Sequence, residues 1–221
     1  MICLTSDDVL LFQGDSITHG GRVESDWDFN HVIGHGYQDY LAQTLGLANI
    51  NRNPTILNRG VSGDTILRIT ERRQSDILDL HPTILSILVG VNDACTAAAG
   101  NTDLLPDCYE RAYRALLAEV TAQLPGIRLI IGQPFLYPHP LGQDAERRPR
   151  AIEYARENAK RAEAIARDYD AVFVRYADIF DEYRKHHDAA HLIWDGIHPT
   201  YVGHGIMAQL WLETVEKELK R

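Results

Sequence analysis

The chain has 221 residues, of which 45% are hydrophobic and 24% are charged, a composition typical of a globular domain with a sizeable core. Its formal net charge of −9 argues against nucleic-acid binding, which needs clustered Lys and Arg side chains against phosphates. No stretch of sequence approaches the roughly 20 apolar residues that span a bilayer, so we expect no membrane partner.

Apolar strand-like runs alternate with amphipathic helical stretches along the chain. In order, we predict a strand over 9–13, a helix over 37–47, a strand over 55–58, a helix over 64–80 and a strand over 84–89, followed by a helix over 106–124, a strand over 127–132, a helix over 150–169, a strand over 171–176 and helices over 178–187 and 201–219. A helix separates each strand from the next, which predicts an α/β fold with a five-stranded parallel sheet and helices on both faces. We expect residues 1–221 to form a single domain.

Three turns that follow the first three strands carry residues suited to acyl chemistry. Ser16 follows the first strand, Gly60 the second and Asn92 the third. The carboxyl ends of parallel strands share one edge of the sheet, so these residues are expected to lie on the same edge. A serine hydroxyl needs a base to take its proton and donors to stabilise the oxyanion. The backbone amide of Gly60 and the side-chain amide of Asn92 are candidate donors.

The candidate base lies near the end of the chain, in the stretch Ile193–Pro199. Asp195 and His198 are three residues apart, and Pro199 disfavours helix at His198. A carboxylate this close can accept a hydrogen bond from Nδ1 of the ring and leave Nε2 free to face a serine. The sequence alone does not show that Ser16 and His198 meet.

The combination of these stretches resembles the conserved blocks of the SGNH (GDSL-type) hydrolases. The blocks are Gly14-Asp15-Ser16, Asn58-Arg59-Gly60-Val61-Ser62-Gly63, Gly90-Val91-Asn92-Asp93 and Asp195-Gly196-Ile197-His198-Pro199. The resemblance implies a flavodoxin-like three-layer α/β/α sandwich without a metal or organic cofactor. It implies Ser16 as nucleophile, His198 as base and Asp195 as the acid that orients it. The Ser16 amide, the Gly60 amide and the Asn92 side chain would form the oxyanion hole.

Within the family, the sequence is similar to small carbohydrate acetylesterases, including intracellular acetylxylan esterases. The resemblance implies hydrolysis of acetyl groups on oligosaccharides such as acetylated xylo-oligomers, and it makes a homo-oligomer possible. Asp15 and Trp194 are candidate substrate-binding residues, although Trp194 is equally suited to core packing. The loop around Trp27 can serve as a substrate wall or as a subunit contact.

Two other functions remain open at this point. A lysophospholipase or thioesterase of the same fold would use the same residues. A carbohydrate-binding protein with a relic site would bind sugars but would not hydrolyse esters. His187 and His191 are four residues apart and could in principle bind a metal, but a solvated helix end is the simpler interpretation. The three cysteines are widely spaced and predict neither a disulfide framework nor a zinc site, and no signal peptide is evident, so we expect a cytoplasmic protein.

Overall fold

Five parallel strands form one sheet in the order β2-β1-β3-β4-β5 in a computed structural model that describes residues 2–25, 27–139 and 141–218. This order is that of the flavodoxin-like folds, so the predicted fold class is confirmed. The strands are β1 (Val9–Gly14), β2 (Thr55–Asn58), β3 (Ile84–Leu88), β4 (Arg128–Gly132) and β5 (Val172–Val174). Every predicted strand is present, and the bounds differ by at most two residues at either end.

Ten α-helices connect and flank the strands of the described chain. They are α1 (Ser16–His19), α2 (Tyr37–Ala48), α3 (Ile66–Glu71), α4 (Arg73–Asp76), α5 (Val91–Ala98), α6 (Pro106–Gln123), α7 (Arg148–Asp168), α8 (Tyr176–Tyr183), α9 (Ala189–Leu192) and α10 (Tyr201–Glu218). Single 3₁₀ turns cover Leu78–Leu80 and Thr102–Leu104. Among the described residues, no helix is both long enough and apolar enough to cross a membrane.

The sheet separates two apolar layers because side chains alternate along each strand. On one face, Leu10, Phe12 and Leu88 pack against α2 and α10, where Trp211 is fully buried. On the other face, Leu11 and Ile87 pack against α3, α6 and α7. The chain therefore forms the predicted three-layer α/β/α sandwich.

The prediction of one helix over 64–80 is wrong. Thr65 caps α3, and the helix ends at Glu71, with Arg72 as its C-cap, before α4 and the 3₁₀ turn. The Arg72 guanidinium donates to Asp64 Oδ2 at 2.7 Å, to Gln13 Oε1 of β1 at 2.7 Å and to the Arg59 carbonyl oxygen at 2.9 Å. These hydrogen bonds hold Arg72 at the break between α3 and α4 against the helical periodicity of the segment.

Three further helices differ from prediction. The helix predicted over 178–187 begins and ends earlier, as α8, the start of α5 is predicted only as a turn, and α9 is not among the predicted elements. The last predicted residue of the final helix, Leu219, lies outside the described residues.

Candidate active site

Ser16 lies at the carboxyl end of β1, as the first residue of α1. The Asp15 side chain accepts a hydrogen bond from the Ile17 N–H at 3.0 Å and so caps this short helix. Ser16 is half-buried, and among the described residues no acceptor bonds its backbone N–H. The turn thus presents both a hydroxyl and a free amide at the edge of the sheet.

Asp195 and His198 form a compact turn of their own. Asp195 Oδ1 accepts hydrogen bonds from the Ile197 N–H at 2.9 Å and from the His198 N–H at 2.7 Å, while Oδ2 lies 2.6 Å from His198 Nδ1. Gly196 adopts a φ of 85°, and a Cβ there would lie 2.5 Å from the carbonyl oxygen of Tyr137. Glycine therefore allows the turn to pack directly on the segment after β4.

The structure brings Ser16 and His198 together across 182 residues of sequence. Ser16 Oγ lies 2.8 Å from His198 Nε2. Because the Asp195 carboxylate only accepts hydrogen bonds, Nδ1 of a neutral His198 carries the proton and Nε2 accepts from the Ser16 hydroxyl. The predicted meeting of serine, imidazole and carboxylate is present as one continuous hydrogen-bonded series.

Electrostatics in this series favour a charged imidazole. Burial alone would raise the pKa of Asp195, but hydrogen bonds from the His198 ring and from the backbone N–H groups of His198 and Ile197 lower it to about 2. The hydrogen bond to Asp195 raises the pKa of His198, against the opposing effect of burial. Asp195 thus stays ionised near neutral pH and stabilises a proton on His198.

Asn92 lies in the first turn of α5, beside the nucleophile turn. Gly14 pairs with Leu88 in the sheet, so the segments that carry Ser16 and Asn92 leave neighbouring strands at the same level. Asn92 Nδ2 donates to the Asp64 carbonyl oxygen at 3.0 Å. This bond uses one hydrogen of the amide and leaves the second available to a ligand.

Gly60 does not have the free amide that the sequence analysis assigned to it. Its N–H donates to Asn58 Oδ1 at 2.8 Å, and its carbonyl oxygen accepts from Arg22 Nε at 2.9 Å. Gly60 is needed for close packing instead, because a Cβ there would lie 2.5 Å from the His19 nitrogen. The assignment of Gly60 to the oxyanion hole is therefore withdrawn.

Gly63 is the better candidate, and the sequence analysis missed it. It is exposed, and among the described residues no acceptor bonds its N–H. It directly precedes Asp64, whose carbonyl oxygen is held by the Asn92 side chain. The sequence contains a signal for it, because Gly63 is the second glycine of the motif Asn58–Gly63 that also contains Gly60.

Asp15 is also placed differently from the expectation of a substrate contact. The residue is only 1% exposed, and its carboxyl group turns inward to cap α1. Burial raises its pKa to about 7, and the hydrogen bond from Ile17 and the nearby His198 oppose that rise only in part. Asp15 thus supports the turn that carries Ser16, with its carboxyl group directed into the protein.

Trp194 is a surface residue at the candidate site and not a core residue. Its side chain is 58% exposed, and its ring stacks on His198 with centroids 6.1 Å apart and planes 22° apart. Trp27 is a surface residue as well, 81% exposed. In the part of the chain that the structure describes, no group of three or more His, Cys, Asp or Glu side chains is arranged to hold a metal ion.

A flavodoxin-like sheet that carries a serine, an imidazole and a carboxylate in hydrogen-bonding series at its edge defines a serine ester hydrolase. The model of the GDSL-like lipase/acylhydrolase family matches residues 12–206. The chain belongs to this family, and it is a serine carboxylic ester hydrolase.

Similar proteins include an acetylxylan esterase from Geobacillus stearothermophilus, which is 31% identical over 222 aligned residues, 98% of this chain and 97% of that protein. A crystal structure of an acetylxylan esterase from the same organism has a TM-score of 0.79 at 28% identity, over 96% of this chain and 95% of that one. A GDSL-like protein from Parabacteroides merdae gives a TM-score of 0.88 at 31% identity, over 96% of this chain and 97% of that one.

Proposed function

We propose that the protein hydrolyses short O-acyl esters through an acyl-enzyme, in particular acetyl esters on oligosaccharides such as acetylated xylo-oligomers. The observation that carries the proposal is the 2.8 Å contact between Ser16 Oγ and His198 Nε2. The similarity to an acetylxylan esterase over nearly the whole chain supports the acetyl group and the sugar.

In the first half of the reaction, His198 Nε2 takes the proton of Ser16 while Oγ attacks the acyl carbon. The Asp195 carboxylate stabilises the imidazolium that forms. The oxyanion would accept hydrogen bonds from the Ser16 amide, the Gly63 amide and the Asn92 side chain. Collapse of the tetrahedral intermediate breaks the ester bond, and His198 returns its proton to the leaving alcohol.

In the second half, water takes the place of the alcohol. His198 removes a proton from the water, and the hydroxide attacks the acyl carbon of the Ser16 ester. The same donors stabilise the second oxyanion. Collapse then releases the carboxylic acid, and the proton on His198 returns to Ser16 Oγ. No metal or organic cofactor enters either half of this scheme.

The test of the proposed nucleophile is Ser16→Ala. We expect turnover of p-nitrophenyl acetate to fall by at least about 10³-fold, because no other group supplies the attacking oxygen. Ser75→Ala, at an exposed serine on α4, is the matched control and should retain full activity. A fluorophosphonate probe should label the wild type and the control only. Undiminished hydrolysis by Ser16→Ala would refute the assignment.

The alternative within the family is a lysophospholipase or thioesterase, because the family description includes lipases as well as acylhydrolases. Acyl-chain length separates the two. Rates on p-nitrophenyl esters should fall from acetyl to octanoyl, and a rise along the series would favour the alternative. A protein that binds sugars without reacting would fail to take up the fluorophosphonate probe.

Cytoplasmic location and assembly into a homo-oligomer also stay predictions. Cys3, Cys95 and Cys108 are all free thiols, which suits a reducing compartment. Light scattering on the purified protein measures the assembly directly.

A further inference from the structure

A pocket outside the candidate active site lies between the amino-terminal turns of α2 and α10. It has a volume of about 180 Å³. The side chains that give it its character are Asp39, Tyr40 and Gln43 from α2 and Tyr201 and His204 from α10. Gly36 and Gly205 also line it, and they leave room because they carry no side chain.

Helical spacing explains why these residues converge. In α2, Tyr40 and Gln43 follow Gly36 at intervals of four and three residues, and in α10 His204 follows Tyr201 at an interval of three. Residues three and four apart share one face of a helix. The two helices therefore each contribute one stripe, and the stripes face each other across the concavity.

The pocket lies next to the candidate active site. Tyr201 is three residues after His198, a length of chain that spans at most about 11 Å. Hydrogen bonds through Tyr37 also connect the pocket to α1, the helix that begins with Ser16. Thr18 Oγ1 of α1 lies 3.0 Å from the Tyr37 hydroxyl, and the Tyr37 N–H donates to Nδ1 of the pocket residue His204 at 3.1 Å. Tyr37 thus connects the pocket residue His204 to the turn that carries Ser16, and Tyr201 is close in the chain to His198.

The chemistry of the lining fits a neutral polyol with an apolar ring face. Tyr40 and Tyr201 are 51% and 84% exposed, which leaves aromatic surface available for stacking. Asp39 offers acceptors and Gln43 offers both donors and acceptors, and neither side chain has a hydrogen-bond partner among the described residues.

His204 adds a donor to this set. Burial, together with the nearby His198, lowers the pKa of His204 to about 4, so the ring is neutral at pH 7. Its Nδ1 accepts from Tyr37, which leaves the single proton on Nε2. His35 also lines the pocket, but the described lining residues include no Lys or Arg, which makes the pocket a poor site for phosphate or carboxylate groups.

We propose that the pocket is a sugar subsite that binds one neutral pyranose unit of an oligosaccharide while a neighbouring unit presents its acyl ester to Ser16. The inference rests on the proposed function for its link to Ser16. It assigns the recognition of the leaving group to α2 and α10, separately from the groups that carry out the chemistry.

The kinetic test compares two substrates that differ in their leaving groups. In Tyr40→Ala/Tyr201→Ala, the ratio of kcat/KM on acetylated xylotriose to kcat/KM on p-nitrophenyl acetate should fall at least about tenfold, mainly through KM. Tyr40→Phe/Tyr201→Phe keeps both rings and should retain most of the ratio. Leu47→Ala, exposed on the same helix but beyond the pocket, should leave it unchanged. An unchanged ratio in the alanine variant would overturn the subsite.

A binding test stands apart from turnover. Unacetylated xylotriose titrated into ¹⁵N-labelled Ser16→Ala should shift the amide signals of Gly36, Gln43 and Gly205, and Tyr201→Ala in the same background should abolish the shifts. Shifts confined to other parts of the molecule, or none at millimolar sugar, refute the subsite even if Ser16 is the nucleophile. Shifts at these amides in a protein whose wild type shows no esterase activity would support the subsite and refute the proposed reaction.

Discussion

At the scale of single residues, the orientation of His198 is set almost entirely by Asp195. The carboxylate takes hydrogen bonds from two backbone N–H groups and from the imidazole ring, all within four consecutive residues. A carboxylate with three donors keeps a low pKa, so the partner of the imidazole remains charged over the working range of an esterase.

This pairing predicts the acid limb of the pH–rate profile. A protonated His198 cannot take the Ser16 proton, so kcat/KM should rise with pH as the ring becomes neutral. Because the hydrogen bond to Asp195 raises the pKa of His198, the midpoint on p-nitrophenyl acetate should lie above the ordinary imidazole value of 6.5. Asp195→Asn should move the midpoint to lower pH and reduce the rate by on the order of 10⁴. A midpoint that stays in place would contradict the role of Asp195.

The residues of the series were predictable from the sequence, whereas the details of the oxyanion side were not. Ser16 follows a strand, and the spacing of Asp195 and His198 fits a local turn, so rules about strand ends and short turns identify these residues, whereas the contact of Ser16 with His198 is a property of the fold. The choice between Gly60 and Gly63 depends on where the Asn58 side chain points, which is a tertiary contact. The inward turn of Asp15 likewise depends on packing around α1.

At the scale of elements, α5 holds the turn before α3 through two adjacent side chains. Asn92 donates to the Asp64 carbonyl oxygen, and Asp93 Oδ1 accepts from the Ile66 N–H at 3.0 Å. Asp93 is fully buried, and among the described residues its Oδ2 has no hydrogen-bond partner. The Gly63 amide, a proposed donor, thus directly precedes a segment that hydrogen bonds to Asn92 and Asp93 of α5 hold in place.

Asp93 makes stability depend on pH in a predictable direction. Burial raises its pKa from 3.8 to about 7, so the folded state keeps a proton that the unfolded state has already lost. Stability should therefore decrease as pH rises from about 4 to 7. Asp93→Asn cannot ionise, and its Tm should drop less between pH 5 and pH 8 than that of the wild type. Asp15, with a raised pKa of the same sign, is left in place in both proteins.

The control for this measurement is Asp103→Asn, at an exposed carboxylate in the 3₁₀ turn before α6. It should retain the pH dependence of the wild type. Equal Tm losses in Asp93→Asn and the wild type would show that Asp93 is ionised in the folded state throughout this range.

Elements with strong local signals were predicted well, and those governed by distant contacts were not. The run Ile84–Leu88 is apolar except for Ser86 and is buried on both faces, which is typical of a central strand. The segment 64–80 has helical periodicity, yet α3 ends before Arg72, whose side chain donates to Asp64 and to Gln13 of β1. Helix α5 has apolar residues at helical spacing, Val91, Ala94, Cys95 and Ala98, but it begins inside the Gly90–Asp93 motif, which on sequence alone is interpreted as a turn.

At the scale of the whole molecule, the two apolar layers share the strands between them. Leu10 and Phe12 face one layer while Leu11, between them, faces the other, so neither layer can lose its packing without exposing the same strand. This sharing supports the prediction, made from the length of the chain, that residues 1–221 form one domain.

Calorimetry tests that prediction. The protein should unfold in a single thermal transition, with a calorimetric enthalpy equal to the van't Hoff enthalpy. Two resolved transitions would show that part of the chain folds on its own.

The contrast between the short Asp195–His198 turn and the 182-residue separation of Ser16 from His198 divides the site into a local half and a distant half. The tetrapeptide Asp195–His198 aligns the carboxylate with the imidazole by itself. The Ser16 hydroxyl is brought to the imidazole only when β1 pairs within the sheet. Removal of the Ser16 hydroxyl alone would therefore end turnover while the imidazole keeps its carboxylate partner and still titrates as a paired group.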